Sequence, residues 1–203
     1  MPVVIEGVVG LRKALNKLAP DIKKELDKEL REALKPIIAD ARSKVPSVAP
    51  GGLINWNHPG YERKSRTSRN RAFPSYDAKA VRKGLVYSVS PSRMKNSGFV
   101  SLFSLLNRSA TGAIIETSGR ANPQGDSRSQ SNNPSAGSRF IGAMNGVGGL
   151  VDYSGRGKNS TGRLLYAAYS RNQGKALNAI LQAINTAQNN LVKRILNDDK
   201  QVA

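Results

Sequence analysis

The chain has 203 residues and a formal net charge of +18, from 32 basic and 14 acidic side chains, with 38% hydrophobic and 5% aromatic residues. That length suits one domain, residues 1–203, and so low an apolar fraction puts the core in part of the chain and leaves the rest polar and loop-like. With no cysteine and one histidine, there is no material for a disulfide framework or a thiolate metal site and too little for a zinc centre, and a reducing compartment is expected.

The opening MPVVIEG lacks a basic stretch leading into an apolar one, so no secretory signal is expected. No apolar run approaches the roughly 20 residues that span a bilayer, which implies a soluble protein without a membrane partner. Residues 3–7 read as a short β-branched strand. Leu11, Leu15 and Leu18 then share one helical face, Pro20 suits a first helical turn and Asp21 places a carboxylate near that turn. Ile22, Leu26, Leu30, Leu34 (or Ala33), Ile37 (or Ile38) and Ala41 recur at spacings of three and four. Lys23, Lys24, Asp27, Lys28, Arg31 and Glu32 take mostly the other faces. The spacing predicts an amphipathic helix of about 25 residues, with a kink near residues 32–36 from Pro36 and an end at Val45-Pro46.

Residues 47–75 lose both periods. Pro50, Gly51, Gly52, Pro59, Gly60 and Pro74 punctuate them, and YERKSRTSRNR (61–71) is basic and serine-containing, so a basic arm or loop insertion is expected. Order returns at 78–91, where Leu85, Tyr87 and Val89 alternate with Val86, Ser88 and Ser90 in a strand ending at Pro91. GFVSLFSLLN (98–107) and TGAIIETSG (111–119) supply two more strands, giving a three-stranded antiparallel meander with Glu116 beside the apolar run Ala113-Ile114-Ile115. Residues 120–161 are rich in Gly, Ser and Asn, a second insertion with Phe140, Ile141 and Met144 as its best anchor. Leu164, Leu165, Ala168, Leu177, Ile180, Leu181, Ile184, Leu191, Ile195 and Leu196 fit a helical tail, its main helix running from about 172 to 197. The sum is an α+β fold: a small antiparallel sheet packed against a long N-terminal helix and a C-terminal helix, with two long extended insertions.

The charge is unevenly placed. Residues 1–41 carry 8 basic and 7 acidic side chains, residues 42–171 carry 20 and 5, and residues 172–203 carry 4 and 2, balances of +1, +15 and +2. Such a field attracts polyanions or acidic protein surfaces without choosing between them.

Marks of catalysis are few. His58 sits in a Pro/Gly-rich loop with no carboxylate nearer than Glu62, so an exposed loop histidine is the simpler reading. The acidic residues concentrate on the helix of 20–40, where ion pairing on a solvated face accounts for them. GVGG (146–149) and GRGKNSTG (155–162) suggest phosphate-binding loops. The second lacks the Walker spacing of four residues between the first Gly and Gly-Lys-Ser/Thr, however, and a flexible linker fits better. Trp56, His58 and Tyr61 beside the basic run give a mild nucleic-acid signal, and an arm on an acidic neighbour fits as well. No catalytic residue, cofactor or metal ligand is expected.

Several segments resemble a known family. A short opening strand, then GVVGLRKALNKL (7–18) and IKKELDKELREALKPIIADARSKVP (22–46), resemble the start of the neck or tail-completion proteins of long-tailed phages, the gene-ten-like minor tail family. GAIIETSG (112–119) resembles that family's Glu-containing strand, with Glu116 in the acidic position and with Ala113 and Thr117 where aromatics are usual. GSRFIGAM (137–144) and GRLLYAAYSRN (162–172) resemble its lead-in to the last helix. The resemblance implies a non-enzymatic virion protein of the neck, assembled in the host cytoplasm. It would form a ring of six or twelve subunits joining the head connector or adaptor to the tail tube or tail terminator, with DNA passing through the lumen. It also implies that Glu116 meets an arginine such as Arg120 or Arg139 of the same ring. The charge reading adds that Arg63, Lys64, Arg66, Arg69 and Arg71 make contacts between molecules. The alternative is a basic nucleic-acid-binding protein.

Overall fold

The computed structural model describes residues 8–50, 76–90, 103–118, 136–152 and 161–202. In chain order these form α1 (Val8–Leu18), α2 (Pro20–Ser43), α3 (Ala78–Gly84), β1 (Leu85–Ser88), β2 (Ser104–Asn107), α4 (Ala110–Thr117), α5 (Ala136–Asn145), β3 (Val151–Asp152), β4 (Thr161–Gly162) and α6 (Leu165–Val202). The architecture is α+β in its coarse class, mostly helical, with two small antiparallel two-stranded sheets. Among the described residues no helix is long and apolar enough to cross a membrane. The expected strand at 3–7 lies outside the described residues.

The chain divides into two compact units. One comprises Met1–Pro36, Tyr87–Leu105 and Arg171–Ala203, and the other Ile37–Val86 and Leu106–Ser170.

In the first unit the leucine spacing does what the sequence implies. Leu15, Ile22, Leu26, Leu30 and Leu34 are buried, as is Ala19 between the helices. Pro20 has no amide to donate, which marks the break between α1 and α2. The backbone nevertheless stays nearly helical, since the amide of Ala19 donates to Leu15 O at 2.9 Å and that of Lys23 to Ala19 O at 3.1 Å. Asp27 departs from the expected solvated face: Arg12, itself buried, donates to Asp27 Oδ1 at 2.5 Å, and Lys23 lies 3.7 Å from the other oxygen. From α6 come Ala176, Ile180, Ala183, Ile184, Ala187 and Leu191. The last part of α6 meets the first turn of α2 through Arg194 Nη1, which donates to Asp21 Oδ1 at 2.7 Å.

The second unit is built around short elements. Ile37, Ile38 and Ala41 of α2, Val45, Ala49, Val81, Leu85, Ile115, Met144 and the run Leu164, Leu165, Ala167 and Ala168 are its buried apolar groups among the described residues. Helix α3 is capped at both ends. Asp77 Oδ1 accepts from the amides of Lys79 (2.8 Å) and Ala80 (3.1 Å), and Arg42 donates to Arg82 O (3.0 Å) and Leu85 O (2.9 Å). Helix α4 packs on α3 and on β4. Strands β3 and β4 pair antiparallel, with Val151 opposite Gly162 and Asp152 opposite Thr161.

Several expectations are corrected here. Residues 110–117 form a helix where a strand was expected, and 78–84 form a helix ahead of a strand confined to 85–88. The three-stranded meander is replaced by two separate strand pairs. In α4 the Ser109 hydroxyl caps the helix by accepting from the Gly112 amide at 3.1 Å, and Thr111, Gly112, Ile115 and Glu116 turn to one buried side, a helical and not an alternating pattern. The stretch 120–161 is not all loop, because it contains α5 and β3. Met144, proposed as its anchor, is fully buried. Helix α6 starts at Leu165, ahead of the expected 172, and Leu18, Leu181, Ile195 and Leu196 are exposed despite their helical spacing.

Candidate functional site

The start of α6 poses a local problem. Leu164 O accepts the first intrahelical bond, from the Ala168 amide at 2.9 Å, which makes Leu164 the N-cap. Its side chain has no acceptor for the unbonded amides of the first turn. Glu116 supplies one from the last turn of α4. Its Oε2 accepts from the amides of Leu164 (3.2 Å) and Leu165 (2.9 Å), and its Oε1 accepts from that of Tyr166 (3.0 Å). The carboxylate is a helix cap delivered from 48 to 50 residues away in sequence. A negative charge there also meets the positive end of the α6 dipole. Glu116 is only 4% exposed, so these main-chain donors take the place of water.

Two neighbours complete the site. Arg163, 3% exposed, donates through Nη1 to Gly148 O and through Nη2 to Ser118 O at 2.9 Å, tying the turn after α5 and the end of α4 to the start of α6. Burial pulls its guanidinium below the ordinary arginine range, and the charge of Glu116 opposes that shift. Gly148 has φ +153°, a conformation that glycine adopts without strain. Gly162 fits closely for another reason. A β-carbon there would run into Glu116 Oε1 and lie 2.6 Å from Tyr166 Cδ2, so only glycine lets β4 pass beside the carboxylate.

Chemically this is a staple. Glu116 is engaged by donors of its own chain, inside one compact unit. Among the described residues no three His, Cys, Asp or Glu side chains gather as a metal site would require. Of the glycine-rich motifs, GVGG leads into β3 and supplies the carbonyl that Arg163 uses, and the described part of GRGKNSTG is the pair Thr161-Gly162 of β4.

The residues singled out in the sequence fare unequally. Arg63, Lys64, Arg66, Arg69, Arg71 and Arg120 lie outside the described residues, as does His58. Arg139 falls within α5, and its side chain is outside the description. Glu116 is placed, in a helix and with main-chain partners. Arg163 and Gly162 were missed. A signal for them existed: GRLL (162–165) starts a helix with no Ser, Thr, Asp or Asn to cap it, so an acceptor had to come from elsewhere.

Comparisons with protein-family models, with curated proteins and with solved structures find no match for this chain.

Proposed function

We propose that the chain is a structural virion protein of the phage neck, which closes into a ring and joins the head connector to the tail tube. The observation that carries this reading is the use made of Glu116. The acidic side chain that stood out as a chemical candidate is spent inside the fold on the amides at the start of α6. Among the described residues this leaves fixed charge and packing surface on the outside, the means of an assembly protein. The family resemblance of 7–18, 22–46, 137–144 and 162–172 supports the same reading, whereas 112–119, matched to a strand of that family, is a helix here. In this reading the basic middle of the chain grips acidic neighbours, with DNA in the lumen as a secondary contact. The ring has six or twelve subunits, and its place is the virion.

The second reading, a basic nucleic-acid-binding protein, rests on the balance of +15 within residues 42–171, which draws phosphates as readily as acidic protein surfaces.

Complementation separates the two. Extracts from a phage that lacks this chain should accumulate full heads and finished tails that stay unjoined, and purified protein should restore joined particles. Heads that fail to fill with DNA, with joining intact, would support the second reading and defeat the first.

A further inference from the structure

We infer that two charged rows on α2 are the surface by which one copy of this chain aligns side by side with the next. This rests on the ring reading above and deepens it by naming a face and a direction.

Helix α2 turns Leu26, Leu30 and Leu34 inward. Its remaining charges fall into two rows. Lys24, Lys28, Arg31 and Lys35 follow at spacings of four, three and four, and Glu25, Glu29 and Glu32 at four and three. All are exposed except Glu29, which is half-buried, and all lie within one compact unit. At about 100° per residue each row keeps within an arc of about 60°, and the rows lie about 100° apart, both clear of the leucine stripe. Asp27 belongs to neither, being engaged by Arg12.

Sorting by sign does not serve the helix alone. Lys24 and Lys28, Glu25 and Glu29, and Arg31 and Lys35 each stand four residues apart, where like charges oppose helix formation. Among the described residues the ion pair that joins the rows is Lys35 to Glu32, at 2.6 Å. Lys24, Glu25, Lys28, Glu29 and Arg31 are left to act outward.

Charge decides the occupant and its direction. Copies of this chain repel one another with +18 each, so close approach needs a place of low net charge, and residues 1–41 sum to +1. Nucleic acid would meet the basic row and be repelled by the acidic row beside it, and an acidic protein would likewise use one row. A partner that carries both rows at the same height uses both, and this chain is such a partner. The rows occupy the same levels of the helix, 24–35 and 25–32, spanning roughly 16 and 10 Å at 1.5 Å per residue. Rotation about an axis parallel to α2 keeps each level at its height and sets the basic row of one copy against the acidic row of the next. A two-fold axis perpendicular to the helices would set basic row on basic row. The rows therefore favour the parallel, cyclic arrangement that a ring needs. Exposed pairs add little affinity, so their part is to steer and register copies as they meet, while other contacts hold the finished ring.

The test is the assembly rate of the full chain from dilute monomers, followed by light scattering, with sedimentation velocity for the end state and circular dichroism for helicity. The parent should assemble more slowly as salt rises, because screening removes the steering. Two charge-reversed variants, Lys24→Glu/Lys28→Glu/Arg31→Glu and Glu25→Lys/Glu29→Lys, should keep parental helicity and each assemble alone at least about tenfold more slowly at low salt. Mixed in equal amounts they should regain most of the parental rate, since each then offers two rows of the sign the other lacks. Parental rates in each variant alone, or a mixture no faster than its components, would overturn the assignment of this face while leaving the ring reading in place. Should a reversal cost helicity, Lys28→Gln/Arg31→Gln and Glu25→Gln/Glu29→Gln carry the test: each should slow assembly severalfold, and parental rates in both would overturn the face. A parent that stays monomeric at every concentration would overturn the face and the ring together. Association that needs added nucleic acid would do the same, in favour of a polyanion.

Discussion

Glu116 shows how much one side chain can hold. Its carboxylate accepts from the amides of Leu164, Leu165 and Tyr166, and Glu116→Gln would replace one accepting oxygen by a carboxamide NH2, a donor facing amide hydrogens. Leaving buried donors unsatisfied, and a buried Arg163 without its opposing charge, should lower the unfolding free energy by about 2–3 kcal/mol, read from urea midpoints. Gly162→Ala reaches the same point from the other side, since its methyl would displace the carboxylate, and it should be at least as damaging. The pair should be non-additive: in the double variant the second change should cost far less than it does alone, because the two act on one set of bonds. Full additivity would mean that Gly162 matters for some other reason than clearance beside Glu116.

Among the elements, those with long apolar periods were legible. Helices α1 and α2 follow the leucine spacing, and Pro20 marks the break between them, because three- and four-residue repeats over many turns admit one interpretation. Helix α4 did not, because eight residues are barely two turns and Ala113-Ile114-Ile115 reads equally as a strand. Its identity comes from a local cap, Ser109, and from the neighbours it packs on. That α6 needs an outside cap could be read from GRLL, but not that Glu116 supplies it, from 48 to 50 residues away. The Arg194–Asp21 contact between α6 and α2 makes a prediction at this scale. The hydrogen bond from Arg194 holds the Asp21 carboxyl below its ordinary value of 3.8. A depressed carboxylate stabilises the fold above its unfolded pKa and loses that contribution as pH falls through the folded one. The thermal midpoint of the parent should therefore exceed that of Asp21→Asn near neutral pH by a small margin, as befits an exposed pair. The margin should shrink to nothing once the pH has fallen through the lowered value of the folded carboxyl. A difference that persists in acid would assign the effect to something other than this ion pair.

For the whole molecule, charge is the feature that sequence reading reached most directly, and it organises the functional account: two near-neutral ends and a middle segment of +15. If the basic tract Arg63, Lys64, Arg66, Arg69 and Arg71 grips neighbours in the particle, replacing all five with Ser or Gln should leave the circular dichroism spectrum unchanged and yield unjoined heads and tails. Equal joining by this variant would reduce the tract to a solvated loop. Whether the chain is a ring-forming structural protein is decided by native mass spectrometry on particles assembled and then held in about 0.5 M salt, where exposed charges lose sight of one another beyond a few ångströms. A ring protein should give one discrete species of six or twelve subunits that survives this treatment. Free monomers that release nucleic acid steeply as salt rises, with log affinity falling in proportion to the phosphates contacted, would contradict it.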